Sequence, residues 1–302
     1  MAGDPRPERR LGLVYGLAAY GAWGVFPIYL KAVRAVPVVE VLSHRVVWAL
    51  AVLLVITGVR RELPAVAAAL RNRRALLVLS GSTVAIAINW LVYIYSVTHD
   101  RMLESSLGYY INPLVSVLLG IFLLGERLQP LTKTAALLAA AGVVWLAIDL
   151  GQLPWISLAV AFSFALYGLL RKIAPVGALI GLTVETLLLA PFAGAYLVWA
   201  VAGGHARFLS GRPGMDVLLV LAGPLTAFPL LCFAAAARRL PLSTMGFLQY
   251  VSLTLQFLLA VRLYGEPFDR ARAGAFACIW VAVGLFAFDS IRRQAPEPVV
   301  DA

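Results

Sequence analysis

The sequence predicts an all-α integral membrane protein, and two observations support this fold class. Of the 302 residues, 62% are hydrophobic and only 13% are charged, whereas soluble domains average about 45–50% apolar and about 25% charged residues. The apolar residues also form continuous runs of about 20, the length that a helix needs to cross a bilayer, rather than the alternating pattern of a membrane strand barrel. This composition excludes a soluble domain, a disordered chain and a disulfide scaffold.

Ten apolar runs are long enough to predict transmembrane helices. The runs are Leu11–Leu30, Val38–Thr57, Ala75–Ser96, Leu103–Leu124, Leu131–Ile148, Pro154–Leu170, Gly177–Ala200, Val217–Ala237, Ser243–Leu263 and Ala271–Phe288. The first run lacks the short apolar core and the small-residue cleavage site of a signal peptide, so we expect it to be retained. Short polar tails, residues 1–10 and 290–302, flank the ten runs.

The basic residues predict how the chain is oriented in the membrane. Of the 25 lysines and arginines, sixteen fall in the tails and in the connections after the second, fourth, sixth and eighth runs, among them Arg171 and Lys172. Eight fall in the other connections, and Arg45 lies inside the second run. The positive-inside rule then places both termini in the cytoplasm, with Arg60–Arg74 as a solvated cytoplasmic loop. Because the basic residues come in small groups between apolar runs, they predict a lipid bilayer rather than nucleic acid as the partner.

An internal repeat relates the two halves of the chain. The segment Tyr110–Glu126 matches Tyr250–Glu266 after a shift of 140 residues, and both segments end in Gly-Glu. Residues 11–148 and 154–289 each contain five runs, and an odd number means that the halves enter the membrane in opposite directions. This is the inverted-topology repeat of many secondary transporters. A likeness due to apolar composition alone is the alternative, and the shared Gly-Glu endings argue against it.

Two charged residues lie deep inside predicted helices. Arg45 is seven residues into its run, about 10 Å deep, and Glu185 is eight residues past the start of its run, about 12 Å deep from the opposite side. Burying such charges costs roughly 2.5–3.5 kcal/mol on insertion scales, so they usually mark a functional site. We expect the two to pair or to flank one polar cavity. The alternatives are that Arg45 reaches the headgroups and that Glu185 is a protonated packing residue.

Polar and aromatic residues on the predicted helices extend this candidate cavity. Asn112 is the strongest polar candidate, because the following proline removes a backbone donor and frees a carbonyl inside the membrane. Aromatic residues could line the cavity and suit aromatic or cationic solutes, or could be ordinary packing and interface residues. The candidate cavity residues are Trp23, His44, Arg45, Trp48, Asn89, Trp90, Tyr93, Tyr110, Asn112, Ser116, Glu185, Gln249, Tyr250, Ser252 and Gln256. Glu185 and His44 are the candidate proton carriers.

The sequence has no motif for ATP-driven or metal-dependent chemistry. It contains neither a G-x-x-x-x-G-K-[ST] phosphate loop nor an H-E-x-x-H zinc motif. Its two cysteines, Cys232 and Cys278, both lie in apolar runs and predict no disulfide framework or metal site. We therefore expect no catalytic residues, no metal and no cofactor. An intramembrane enzyme or a lipid scramblase acting on lipid-like substrates is the alternative to a transporter.

Four segments resemble the EamA family of the drug/metabolite transporter superfamily, and the likeness extends over Leu11–Asp289. The segments are Leu42–Trp48, Leu103–Leu114, Ala161–Gly168 and Leu242–Tyr250. The resemblance implies two inverted five-helix repeats in an inner-membrane permease that exports small organic metabolites or drugs. The first run lacks the acidic residue that four-helix multidrug relatives use to carry protons. Coupling to protons would then need Glu185, Glu104, Glu40 or His44, and transport without proton coupling is equally open.

Overall fold

The computed structural model describes residues 5–99, 102–149, 155–263, 274, 277–278, 280–286 and 288. Ten α-helices and one π-helical segment lie between residues 5 and 263, and the described residues beyond them are helical as well. The ten helices and the π-helical segment are α1 Pro5–Ala32, α2 Val38–Val59, α3 Leu63–Arg71, α4 Arg73–Thr98, α5 Met102–Leu124, α6 Pro130–Asp149, α7 Trp155–Ile173, α8 Ala178–Ala202, α9 Pro213–Ala237, α10 Leu242–Leu258 and the π-helical continuation Leu259–Leu263.

Eight of these helices are long and apolar enough to cross a membrane: α1, α2, α4, α5 and α7–α10, the last with its π-helical continuation. The fifth predicted run corresponds to α6, whose apolar stretch Pro130–Trp145 is shorter. Of the tenth run, Ala271–Phe288, the structure describes residues 274, 277–278, 280–286 and 288, all of them helical. The described part is therefore all-helical, as the sequence predicted, while the count of ten spans remains a prediction.

A short helix, α3, occupies the connection that the sequence predicted as a loop. Val66 and Ala69 form its buried face and pack with Val184 of α8. Asn72 separates α3 from α4, since its side-chain oxygen accepts a hydrogen bond from the backbone N–H of Ala75 at 3.0 Å. Nine residues are too few to register as a membrane span, which is why the run-length criterion missed this helix.

Large apolar side chains cover the outer faces of the spanning helices. Leu77 of α4, Phe122 of α5 and Phe192 of α8 have 74%, 77% and 76% of their surface exposed. In water, so much exposed apolar surface would favour aggregation, whereas lipid tails solvate it. The exposed faces are therefore the surface that the bilayer covers.

The spanning helices pack in a reciprocal pattern. Helix α1 packs against α9 and α10, and α7 packs against α4 and α5. Between these groups α2 crosses α8 and α9, and α5 crosses α10. Small residues allow the close crossings. A Cβ atom on Gly223 of α9 would lie 2.4 Å from the backbone carbon of Trp48, and one on Gly108 of α5 would lie 2.6 Å from the Ser157 carbonyl oxygen.

A carboxylate joins the end of α5 to the start of α10. Gly125 ends α5 with a φ of +65°, a conformation that suits glycine. The next residue, Glu126, accepts hydrogen bonds from the backbone N–H groups of Leu242 at 2.5 Å and Ser243 at 3.1 Å, and from the Ser243 hydroxyl at 2.7 Å. These bonds satisfy donors that the first turn of a helix leaves free. The Gly-Glu ending of the first repeated segment therefore positions the start of α10.

Candidate functional site

A cavity of about 640 Å³ lies between α1, α2, α4, α5, α7, α9 and α10. It reaches the connection between α1 and α2, where the exposed Lys31 and Arg34 lie at its rim. At the other end it reaches Tyr20 and Phe164. Residues 20 and 34 are about 21 Å apart along α1 and the turn that follows it, at 1.5 Å per helical residue, so the cavity extends into the middle of the bilayer.

Arg45 lies in the wall of this cavity. Its Nε donates a hydrogen bond to the Thr226 hydroxyl at 3.0 Å. The guanidinium carbon lies 5.0 Å from the ring centre of Phe26 and 5.3 Å from that of Trp90, distances typical of cation–π contacts. The side chain therefore stays within the helix bundle, held by α1, α4 and α9, instead of extending to the headgroups.

Packed aromatic rings lie at the end of the cavity away from Lys31 and Arg34. Trp23 lies at the centre, with ring-centre distances of 5.5 Å to Tyr20, 5.7 Å to Phe164 and 5.7 Å to Phe233. Phe233 is 2% exposed and packs behind the other rings. We call these four residues the aromatic floor. The aromatic floor lies at the end of the cavity farthest from Lys31 and Arg34 along α1.

Two prolines and two glutamines connect the helices around the cavity. A proline cannot donate to the carbonyl four residues earlier, so Pro113 frees the Tyr109 carbonyl and Pro27 frees that of Trp23. Gln249 donates to the Tyr109 carbonyl at 3.2 Å, and Gln256 donates to the Trp23 carbonyl at 3.2 Å. The expectation that Pro113 frees a carbonyl is confirmed, although α5 continues through it without a break. Helix α10 is thereby bonded to both α5 and α1.

Eight of the predicted cavity residues lie on the cavity wall. They are Trp23, Arg45, Asn89, Trp90, Tyr93, Gln249, Ser252 and Gln256. The wall also contains residues that were not candidates, including Tyr20, Phe26, Tyr109 and Phe164. Tyr109 and Phe164 lie inside Leu103–Leu114 and Ala161–Gly168, two of the four segments that carry the family resemblance. The sequence therefore singled out the segments of these two residues, although not the residues themselves.

Four other candidates lie where α5 meets its neighbours. Asn112 donates to the Ala161 carbonyl of α7 at 2.6 Å, and the Tyr250 hydroxyl of α10 donates to the Tyr110 carbonyl at 3.3 Å. Ser116 packs near Gly246 of α10. The structure thus uses Asn112, Ser116, Tyr110 and Tyr250 in helix packing rather than in the cavity wall.

His44 and Trp48 lie on another face of α2. The indole N–H of Trp48 donates to His44 Nδ1 at 3.1 Å, which confirms that the two share one helix face. The His44 ring packs 4.7 Å from Phe208, in the connection between α8 and α9. On the same face Glu40 accepts hydrogen bonds from the backbone N–H groups of Arg207 and Phe208 at 2.7 and 3.1 Å. This face anchors the connection and does not line the cavity.

Glu185 pairs with Arg171 and not with Arg45. The Glu185 carboxylate lies 3.5 Å from Arg171 Nη1 and accepts a hydrogen bond from the Ser82 hydroxyl. Arg171, which the sequence assigned to a cytoplasmic connection, is 0% exposed. The residue lies in the last turn of α7, and Gly181 leaves room for its guanidinium, which donates to the Ala178 carbonyl at 3.0 Å.

A second cavity of about 20 Å³ lies beside Glu185. Its volume accommodates about one water molecule. Trp90 and Leu230 line both this cavity and the large one, so a thin wall separates Glu185 from the space around Arg45. The two predicted charges therefore flank adjacent cavities, each with its own protein partner.

The described residues contain no group of three or more His, Cys, Asp or Glu side chains that could hold a metal ion. The large cavity could bind a small organic molecule. A guanidinium, aromatic rings and amide groups surround a volume large enough for one. Membrane-crossing helices around a cavity that extends from exposed residues at one end to packed aromatic rings at the other are typical of one class of protein, a multi-pass membrane transporter.

Comparison with known proteins gives the family within this class. The model of the EamA-like transporter family matches residues 10–148. The chain is 43% identical over 288 residues to protein RarD of Escherichia coli, covering 95% of this chain and 97% of that protein. It is 46% identical over 297 residues to the uncharacterized transporter PA0485 of Pseudomonas aeruginosa, covering 96% and 98%. The chain therefore belongs to the EamA-like transporter family, together with the RarD proteins.

Two further matches agree with this assignment. A second Pseudomonas aeruginosa protein, named chloramphenicol-sensitive protein RarD, is 34% identical over 294 residues, with 94% of this chain and 97% of that protein covered. A solved crystal structure of a protein only 19% identical superposes with a TM-score of 0.69 over 92% of this chain and 97% of its own. The fold is therefore shared beyond the range of close sequence similarity.

Proposed function

We propose that this protein is a secondary transporter that exports small organic metabolites or drugs across the bacterial inner membrane by alternating access. The observation that supports this most is the large cavity. It reaches the exposed Lys31 and Arg34 at the α1–α2 connection, and the packed rings of the aromatic floor lie at its other end. A site reachable from one side at a time is what alternating access requires. Under the orientation that the basic residues predict, this conformation opens to the periplasm.

Reciprocal packing supports an inverted repeat of two halves, residues 11–148 and 154–289. In such a repeat α7 corresponds to α1, and α4 and α5 correspond to α9 and α10. Helix α1 packs on α9 and α10 just as α7 packs on α4 and α5, so exchanging the halves preserves these neighbours.

Hydrogen bonds between α5 and α10 also fit this symmetry. Gln249 bonds to Tyr109 and Tyr250 bonds to Tyr110, each across a separation of 140 residues, the repeat shift itself. Equivalent residues touch only near a two-fold axis. With the axis at the α5–α10 crossing, the inward-open state would be the same cavity formed by the exchanged halves.

Proton coupling, if the transporter uses it, would involve Glu185 or His44 as the carrier. Glu185 is the better placed of the two, because its small cavity shares Trp90 and Leu230 with the large one. The second Glu185 carboxylate oxygen and the His44 Nε2 are both buried without a hydrogen-bond partner in the described structure. A water molecule in the small cavity would give Glu185 a path toward the solute.

Profiling of solutes in the medium and cytoplasm tests the proposal. Cells would express the intact chain, Arg45→Ala, or the control Arg73→Ala, which removes an exposed arginine outside the cavity. We expect at least one organic solute to accumulate outside cells with the intact and control chains. With Arg45→Ala its flux should fall about tenfold or more, since a hydrogen bond to a charged group contributes about 1.5–3 kcal/mol. Identical profiles for all three chains, at equal membrane abundance, would contradict export through this cavity.

A further inference from the structure

The charges around the large cavity all have the same sign. Among the described residues that line it, the charged ones are Arg45 in the wall and Lys31 and Arg34 at the rim. None of these lining residues is an aspartate or a glutamate. Low-dielectric walls concentrate such a field and raise the local concentration of oppositely charged solutes.

The buried carboxylates among the described residues are engaged with partners other than Arg45. Glu185 is held by Arg171 and Ser82, and Glu40 accepts from two backbone N–H groups. Within the described structure, no carboxylate lies within 4.0 Å of the Arg45 guanidinium. A cation inside a membrane is normally paired or hydrated. An anionic solute in the cavity would therefore supply the negative charge that pairs with Arg45.

Arg45 is also oriented for binding. Thr226 uses its Nε, and the rings of Phe26 and Trp90 pack against the guanidinium. The two terminal amino groups have no hydrogen-bond acceptor among the described residues, and the side chain is half-buried at the cavity wall. A fixed guanidinium with two free N–H₂ groups matches the two oxygens of a carboxylate.

The rest of the cavity suits a flat apolar body. Trp23, Trp90, Tyr93, Tyr109 and Phe164 line it, and stacking on such rings is favourable for planar solutes. Aromatic rings could also attract cations, but the faces of Phe26 and Trp90 are already occupied by Arg45. Among the described lining residues, a cationic solute would meet the like charge of Arg45 and no carboxylate.

We propose that the cavity binds small organic anions with a planar, apolar body, and that Arg45 binds their anionic group. This inference rests on the proposed transport function and names the chemical class of its solute. It differs from the sequence expectation of aromatic or cationic solutes because the structure shows no acidic residue on the described wall.

A set of matched probes tests the sign of the preferred charge. The probes are indole-3-acetate, indole-3-acetamide and tryptamine, which share one ring and differ in charge, together with benzoate, benzamide and benzylamine. Affinities would be measured by titration calorimetry on the full-length protein in detergent. We expect at least one of the two anions to bind about tenfold or more tightly than its own amide and amine. If every anion binds no better than its uncharged or cationic counterpart, or if no probe binds, the inference is wrong.

Variants then assign the preference to Arg45. Arg45→Gln should weaken anion binding about tenfold or more while leaving the amides unchanged, and Arg45→Lys should retain part of the preference because it keeps the charge but not the fork geometry. Arg73→Gln, an exposed control, should bind as the intact chain does. An anion preference that survives Arg45→Gln would overturn the role of Arg45.

Flux through proteoliposomes separates this inference from the proposed function. Arg45-dependent anion binding without any movement of the anion across the vesicle membrane would leave the inference standing and contradict transport. Movement of the neutral or cationic probes alone, unaffected by Arg45→Gln, would support transport and contradict the anionic class.

Discussion

Replacing Arg171 with methionine is expected to lower the free energy of unfolding by about 3–5 kcal/mol. The substitution removes the guanidinium 3.5 Å from Glu185 and leaves a carboxylate buried between α4, α7 and α8. Breaking one side of a buried ion pair costs this much because the remaining charge is uncompensated. Thermal unfolding of the purified protein in detergent, read by tryptophan fluorescence, measures the loss against the exposed control Arg73→Met.

A double variant distinguishes the effect of the uncompensated charge from the effect of lost packing. The double variant Arg171→Met with Glu185→Leu removes both charges, and buried pairs replaced by apolar residues often lose little stability. We therefore expect the double variant to be more stable than Arg171→Met alone. A double variant at least as unstable as the single one would show that packing around Arg171, and not its charge, stabilises this region.

Gly223→Ala is expected to separate α2 from α9 and to destabilise the protein by about 1–3 kcal/mol, the usual cost of overpacking. The added Cβ would lie 2.4 Å from the Trp48 backbone carbon and 2.6 Å from its oxygen. Backbone atoms cannot move aside as the end of a flexible side chain can. The same helices hold Arg45 and Thr226, so the hydrogen bond between them should also be lost.

Gly194→Ala in α8 is the matched control. Its added Cβ would meet nothing within 4 Å, and alanine is favoured over glycine in a helix by about 0.8–1.0 kcal/mol. We expect this variant to be as stable as the intact chain or slightly more so. Equal unfolding temperatures for Gly223→Ala and Gly194→Ala would contradict the close crossing of α2 and α9.

Some features of the site could be predicted from the sequence because they depend on composition and spacing. Run length identified the eight helices that are long and apolar enough to cross a membrane, and the cost of a charge in lipid singled out Arg45. Periodicity placed His44 and Trp48 on one face of α2, and they do contact each other. Periodicity could not predict which segment packs against that face. In the structure it is the connection between α8 and α9, not the cavity.

Other features depend on contacts between residues far apart in the chain, and a single sequence does not predict such contacts. Arg171 ends an apolar run, where arginines commonly reach the headgroups, and only the space beside Gly181 allows it to turn inward. The bond from Gln256 to the carbonyl freed by Pro27 joins residues 233 positions apart. Trp23 of the floor was a candidate cavity residue, whereas Tyr20, Phe164 and Phe233 were not, because aromatic residues in apolar runs also serve as ordinary packing residues.

The most direct test of alternating access is whether one cavity residue can be reached from both sides of the membrane. The test uses Gln256→Cys in a chain whose two native cysteines are replaced by alanine, with Arg34→Cys at the rim as the control. Membrane-impermeant thiol reagents would be applied to right-side-out and inside-out vesicles. Alternating access predicts that Cys at position 256 reacts from both sides and that Cys at position 34 reacts from one side only. Reaction at position 256 from a single side under all conditions would contradict transport through this cavity.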